Sequence, residues 1–96
     1  KSSTARFAYA NDIKYKVVDG NNILHVADIA SKYVDLSRQQ KGPFLIEAIT
    51  YRWFGHVDWR EDIDVGIKRS NEDIKIWRSR DPINRLKSSM INNNIW

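Results

Sequence analysis

Residues 44–51, FLIEAITY, form a short segment that is apolar at nearly every position. A helix of this length is uncommon, and a strand with one solvent-exposed face would alternate polar and apolar side chains. The segment therefore predicts a strand covered on both faces, as in a parallel sheet. A second strand is predicted over residues 15–18, because alternating and β-branched residues there run into a turn at Asp19 and Gly20.

A helix is predicted between the two strands, from Ile23 to about Gln40. Asn21 or Asn22 is its expected N-cap, and Gly42 followed by Pro43 is expected to end it. Residues at helical spacing form its predicted packing stripe, namely Ile23, Val26, Ala27, Ala30, Tyr33, Val34 and Ser37. A strand–helix–strand unit of this length joins two parallel strands through a right-handed crossover.

Shorter helices are predicted near both termini. Ser3 or Thr4 can cap one that runs to about Asp12. Towards the C-terminus, Ser70 with Asp73 matches a capping box, and Asp81-Pro82 matches a cap followed by proline at the first helical position. Because 96 residues suit one small domain, we expect a single domain over residues 1–96.

The composition excludes several classes of protein. A net charge of +4, interleaved with acids, does not by itself indicate nucleic-acid binding. No apolar run approaches the about 18 residues of a membrane helix. The chain has no cysteine, which excludes disulfides and thiolate chemistry and leads us to expect a cytoplasmic protein. Since it opens on Lys1 rather than methionine, we expect a piece of a longer protein.

Candidate functional residues follow the apolar strand in the stretch YRWFGH, residues 51–56. Ligands of open parallel sheets bind beyond the carboxyl ends of the strands, which is where this stretch is expected. His56 can donate a hydrogen bond to an anion or relay a proton, and the Arg52 guanidinium suits phosphate or carboxylate. On spacing alone, a surface histidine without a role is an equally good interpretation.

Other polar residues favour structural interpretations. Arg52 and Arg60 have neighbouring acids with which they could pair, and for Arg60 that interpretation is preferred. Glu47, inside an apolar strand, is expected to belong to a structural polar network rather than to act as a base. His25 is expected on the flank of the long helix rather than as a ligand.

The aromatic residues leave a second function open. Four tryptophans among sixteen basic residues are compatible with a non-catalytic module that binds a protein or single-stranded nucleic acid. Trp77, however, lies at a helical spacing that favours packing. No histidine or acidic pair has a spacing typical of metal ligands.

The segments KGPFLIEAITYRWFGH and IWRSRDPINRL, which follow VDGNN in this order, resemble the alpha subunit of thiamine diphosphate-dependent 2-oxo acid dehydrogenases. Pyruvate, branched-chain 2-oxo acid and acetoin dehydrogenases share this pattern, and the resemblance covers roughly residues 14–96. It implies an α/β fold, part of a parallel-sheet thiamine diphosphate-binding fold with C-terminal helices. The chain would be the C-terminal half of the diphosphate-binding domain.

The resemblance also implies a chemistry and a set of partners. The complete enzyme would decarboxylate a 2-oxo acid, or cleave acetoin, and pass the acyl group to a lipoyl arm. His56 would be catalytic and cofactor-binding, and Arg52 and Tyr51 would be further cofactor-binding residues. The ligands of the accompanying Mg²⁺ would lie upstream of Lys1, so this chain alone is expected to be inactive. The implied partners are a beta subunit, in a heterotetramer, and a lipoyl-bearing acyltransferase; neither nucleic acid nor membrane is expected.

Overall fold

The computed structural model describes residues 3–56 and 69–96. In chain order, the elements within these residues are α1 (Arg6–Ala10), β1 (Lys14–Asp19), α2 (Ile23–Arg38), β2 (Phe44–Ile49), α3 (Asn71–Ser79) and α4 (Pro82–Asn92). The chain divides into two compact units, Lys1–Ile49 and Thr50–Trp96, called here the sheet unit and the loop unit. The predicted α/β class is confirmed, whereas a single domain over residues 1–96 stays a prediction.

The sheet described in the sheet unit has two parallel strands, β1 and β2. Their register runs from Lys14 opposite Phe44 to Asp19 opposite Ile49. The apolar segment predicted as a strand is therefore a strand, although it ends at Ile49, before the predicted residue 51. Gly20 lies against this end of β2, because its backbone N–H donates to the Ile49 carbonyl at 2.7 Å.

The packing face of α2 differs from the predicted stripe. Of the seven predicted residues, Ile23, Ala27, Val34 and Ser37 are exposed. The buried residue of the helix is instead Ile29, and half-buried residues flank it at Val26, Ala30, Tyr33 and Leu36. Apolar side chains spread around more than one side of this helix, so spacing alone did not decide which side meets the sheet. The contact with β1 and β2 decided it.

The C-terminus of α2 also corrects a prediction. Gln40, not Gly42, takes the left-handed conformation, with φ 60°. Its N–H donates to the Ser37 carbonyl at 2.9 Å, and the Lys41 N–H donates to the Leu36 carbonyl at 3.0 Å, which is a Schellman motif. The two hydrogen bonds offset the cost of a side chain at positive φ.

Gly42 has a different role, next to β2. A Cβ added there would overlap the Phe44 ring. That ring stacks on Tyr33 of α2, with centroids 4.5 Å apart. The glycine therefore leaves room for an aromatic pair between α2 and β2.

The N-terminus of α1 is held by a residue from β2 rather than by its predicted cap. The N-cap is Ala5, and neither Ser3 nor Thr4 occupies that position. The Ala5 N–H donates to Glu47 Oε2 at 2.7 Å and to Ser3 Oγ at 3.2 Å, while the Ser3 hydroxyl donates to Glu47. These bonds, first that from Ser3 and then that from Ala5, lower the pKa of Glu47. Glu47 therefore has the structural role expected for it.

Helix starts were predicted more accurately elsewhere. Asn22 caps α2, because its side chain accepts a hydrogen bond from the His25 N–H at 3.2 Å. Ser70 Oγ accepts from the Asp73 N–H at 3.0 Å at the start of α3. Asp81 caps α4, with Pro82 in its first turn, by accepting from the Ile83 N–H at 2.9 Å. Within residues 3–56 and 69–96, none of the helices has the length and hydropathy needed to cross a bilayer.

Candidate functional site

The candidate site lies in the loop unit, on the stretch that follows β2 along the chain. We define the Arg–His cluster as Tyr51, Arg52, Phe54, His56 and Arg69. Three of these residues, Tyr51, Arg52 and His56, were predicted from the sequence as site residues. Arg52 and His56 are exposed, and Tyr51 is half-buried.

Arg52 connects two points of this stretch. Its Nε donates to the Phe54 carbonyl at 2.9 Å, and its Nη1 lies 3.2 Å from His56 Nδ1. A guanidinium has several donors in one rigid plane, so a single side chain can make both contacts. The structure thus brings the predicted arginine and the predicted histidine into direct contact.

Arg69 adds a second guanidinium to the same carbonyl. Its Nη1 donates to the Phe54 carbonyl at 3.3 Å, and its guanidinium carbon lies 5.3 Å from the centroid of the Tyr51 ring. Through these contacts Arg69 connects Tyr51 with Phe54, whose carbonyl Arg52 also contacts. The sequence analysis did not identify Arg69, since nothing in the local pattern shows which carbonyl a distant arginine will meet.

Aromatic rings attach this stretch to α3. Tyr51 stacks on Trp77, with centroids 5.6 Å apart and an interplanar angle of 11°. Arg80 lies 5.2 Å from the Trp77 centroid. Arg78 lies 5.6 Å from the centroid of Trp53 and also 5.6 Å from that of Phe54. At exposed sites each cation–π contact is worth about 0.5–1 kcal/mol, so the anchoring comes from several weak contacts together.

The chemistry of the cluster suits an anion. Arg52 and Arg69 both donate to the Phe54 carbonyl, and the His56 imidazole contacts Arg52. A guanidinium is a hydrogen-bond donor, and an imidazole can be one. Guanidinium groups bind phosphate and carboxylate through charge-assisted hydrogen bonds. Arg78 and Arg80 increase the positive charge nearby; their WRSR spacing is visible in the sequence, but their contacts with aromatic rings are not.

Other predicted residues stand apart from this cluster. His25 is exposed on α2. Arg60 lies outside the described residues. Among residues 3–56 and 69–96, no group of three or more histidine or acidic side chains is arranged to hold a metal ion. The placement of Mg²⁺ ligands upstream of Lys1, which the resemblance implies, stays a prediction.

Comparisons with known proteins agree with the resemblance found in the sequence. The family model described as "Dehydrogenase E1 component" matches residues 1–96. The pyruvate dehydrogenase E1 component subunit alpha of Porphyra purpurea is 42% identical over 78 residues, covering 81% of this chain and 22% of that protein. The subunit of the same name from Acholeplasma laidlawii is 36% identical over 92 residues, covering 96% of this chain and 26% of that protein.

A third relative corrects the predicted location. The mitochondrial pyruvate dehydrogenase E1 component subunit alpha of Sminthopsis macroura is 36% identical over 96 residues, covering 98% of this chain and 25% of that protein. The prediction of a cytoplasmic protein, which relied on the absence of cysteine, is therefore wrong. A chain without cysteine forms no disulfide in any compartment, so the absence of cysteine does not identify the compartment of the protein.

The relatives are much longer than this chain, which spans about a quarter of the length of those it matches. No solved structure matches it.

Proposed function

Because this chain belongs to the dehydrogenase E1 component family, we propose that it acts as part of the alpha subunit of a thiamine diphosphate-dependent 2-oxo acid dehydrogenase. Relatives named as pyruvate dehydrogenase alpha subunits support a 2-oxo acid as the substrate. In the assembled enzyme, decarboxylation of this acid, or cleavage of acetoin, precedes transfer of the acyl group to a lipoyl arm.

The observation that carries the proposal for the site is the contact between Arg52 and His56, 3.2 Å between Nη1 and Nδ1. It joins a guanidinium and an imidazole on one short stretch of chain. A diphosphate is a dianionic or more highly charged group, and such donors suit its oxygen atoms. His56 and Arg52 would bind the diphosphate. Tyr51 would hold their stretch of chain in place through its stacking on Trp77.

When bound, thiamine diphosphate supplies the thiazolium that accepts the electron pair released by decarboxylation. The residues of this chain bind and orient the diphosphate end of that group. His56 can also hold or move a proton during acyl transfer, since a neutral imidazole has one donor and one acceptor nitrogen. Fixed donors of this kind lower a barrier because they need no rearrangement during the reaction.

Partners are part of the proposal. A beta subunit, in a heterotetramer, and a lipoyl-bearing acyltransferase would complete the reaction. Large apolar side chains exposed on this chain support its burial against other polypeptide, among them Tyr9 at 77%, Ile83 at 74%, Trp96 at 73% and Ile95 at 70% exposure. By contrast, Trp77 already contacts Tyr51 and Arg80, which supports a packing role for this ring rather than stacking on nucleic acid.

The test is His56→Ala in the assembled dehydrogenase that contains this chain. Loss of a hydrogen bond to an anion should weaken thiamine diphosphate binding about 10-fold to 100-fold. Acyl transfer to the lipoyl acceptor should fall well below the wild-type rate. Both are measured by titrating the apoenzyme with cofactor and following acylation of the lipoyl domain.

The matched control is His25→Ala, which removes the other histidine of the chain from an exposed position on α2. It should leave cofactor affinity and acyl transfer at wild-type levels. If His56→Ala has unchanged turnover with the lipoyl acceptor and unchanged cofactor affinity, the proposed role of the site is wrong.

A further inference from the structure

The contact between Arg52 and His56 constrains the hydrogen atoms as well as the heavy atoms. A guanidinium stays protonated in proteins and has no acceptor atom, so Arg52 must be the donor across the 3.2 Å between Nη1 and Nδ1. His56 Nδ1 must then be the acceptor and cannot carry a proton. In a neutral imidazole the proton is consequently on Nε2.

The position of the guanidinium is itself held from the backbone. Arg52 Nε donates to the Phe54 carbonyl at 2.9 Å, two residues along the chain. Arg69 donates to the same oxygen at 3.3 Å, so two arginines donate to this carbonyl. The Arg52 plane, with Nε bound to Phe54, presents Nη1 towards residue 56. The contact between Arg52 Nη1 and His56 Nδ1 therefore relies on a hydrogen bond from Arg52 to a backbone carbonyl two residues away.

We propose that Arg52 is a positioning residue that holds His56 in the Nε2–H tautomer. Nε2 is then the atom of His56 that donates to an anionic oxygen, and Nδ1 is the atom turned towards the protein. The proposal rests on the proposed function only for the identity of that anion, the diphosphate. The tautomer itself follows from the donor chemistry of Arg52.

The test reads the ring nitrogens of His56 directly. The alpha subunit that contains this chain is labelled with ¹⁵N at histidine in the assembled, cofactor-free dehydrogenase, and the ring signals are recorded at a pH alkaline enough for the imidazoles to be neutral. His56→Gln assigns the His56 signals, because they disappear in this variant. Couplings between ring nitrogens and ring protons distinguish a protonated Nε2 from a protonated Nδ1. The wild type should show Nε2–H alone.

Variants at Arg52 should change this pattern to different extents. Arg52→Glu replaces a donor by an acceptor, so the proton should move to Nδ1. Arg52→Lys keeps a donor and should keep the wild-type pattern. The methionine of Arg52→Met offers neither a donor nor a strong acceptor to Nδ1, so a minor Nδ1–H population should become visible. Lys75→Glu makes the same charge change at an exposed position of α3 and should leave the pattern unchanged.

Two results would overturn the proposal: Nδ1–H in the wild type, or the same ring signals in the wild type and Arg52→Glu. These spectra are recorded without cofactor, so they separate this proposal from the previous one. His56→Ala can weaken diphosphate binding although Arg52 does not set the tautomer. Conversely, Arg52 can set the tautomer although His56→Ala leaves cofactor binding unchanged.

Discussion

The sheet unit and the loop unit are stabilised in different ways. In the sheet unit, two strands pair along six residues each, and small or β-branched side chains such as Ala8, Val18 and Ile29 are buried. In the described part of the loop unit, Ile74 is the buried hydrophobic residue, and contacts between rings and guanidinium groups hold the stretch that carries His56.

This difference distinguishes the sheet from the candidate site. Strand pairing connects many backbone groups at once, so a sheet forms as a whole. Cation–π and stacking contacts are weaker and depend on individual side chains, which leaves the loop unit sensitive to single substitutions. A stretch anchored in this way can be perturbed without loss of the sheet. Three substitutions test that comparison.

The largest effect is expected for Ile74→Ala in α3. Removing a buried isoleucine leaves a cavity and should destabilise the loop unit by about 2–5 kcal/mol. Amide hydrogen exchange should accelerate in α3 and α4, while β1 and β2 stay protected. Ile76→Ala is the matched control, because Ile76 is on the same helix but 48% exposed. Equal acceleration in both units would show that they do not unfold separately.

Gly20→Ala should have the next largest effect, this time on the sheet unit. An added Cβ would lie 2.8 Å from the Ile49 carbonyl oxygen and 3.2 Å from the Ala48 backbone, neither of which can move aside. Urea denaturation should show a loss of about 1–3 kcal/mol. Gly42→Ala should cost less, because the Phe44 ring in its path can rotate. A smaller loss for Gly20→Ala than for Gly42→Ala would contradict this account.

The smallest effect concerns Glu47 and depends on pH. A carboxyl whose pKa falls on folding contributes stability that is fully present above its ordinary value of 4.5 and is lost as pH falls through the lower folded value. The wild type should therefore exceed Glu47→Gln in unfolding free energy at neutral pH. The difference should shrink in acid.

Urea titrations at several pH values below and above 4.5 would measure this difference. Ser3→Ala removes the hydroxyl that donates to Glu47 and should reproduce part of the loss. A constant difference between the wild type and Glu47→Gln across this range would rule out the role assigned to the carboxylate.

Local signals predicted much of the fold. The strand after Pro43, the turn at Gly20 and the caps at Asn22, Ser70 and Asp81 all depend on residues within a few positions of one another. The stop of α2 was misassigned, since glycine usually takes the left-handed position and here Gln40 does so. The face of α2 was misassigned in part, because packing against β1 and β2, rather than the spacing of apolar residues, decides which side of the helix is buried.

The candidate site shows the same division. His56 and Arg52 were identified from their place after a strand and from the chemistry of their side chains. Their direct contact was not predicted, nor was the part played by Arg69, which approaches the Phe54 carbonyl from fifteen residues away. Their role towards a cofactor stays a prediction that the substitutions above can test.

The residues alone specified the class of fold, the order of its elements and the stretch that carries the candidate site. Turns, caps and strand propensity act over distances of a few residues, and each is visible in a short window of sequence. Tertiary packing decided which face of α2 is buried, how Glu47 holds the start of α1, and where Arg52 and Arg69 meet the backbone. Glu47 and Arg69 reach partners far along the chain, whereas the face of α2 and the contacts of Arg52 involve neighbouring segments. In each case the three-dimensional packing selects the side chain that makes the contact.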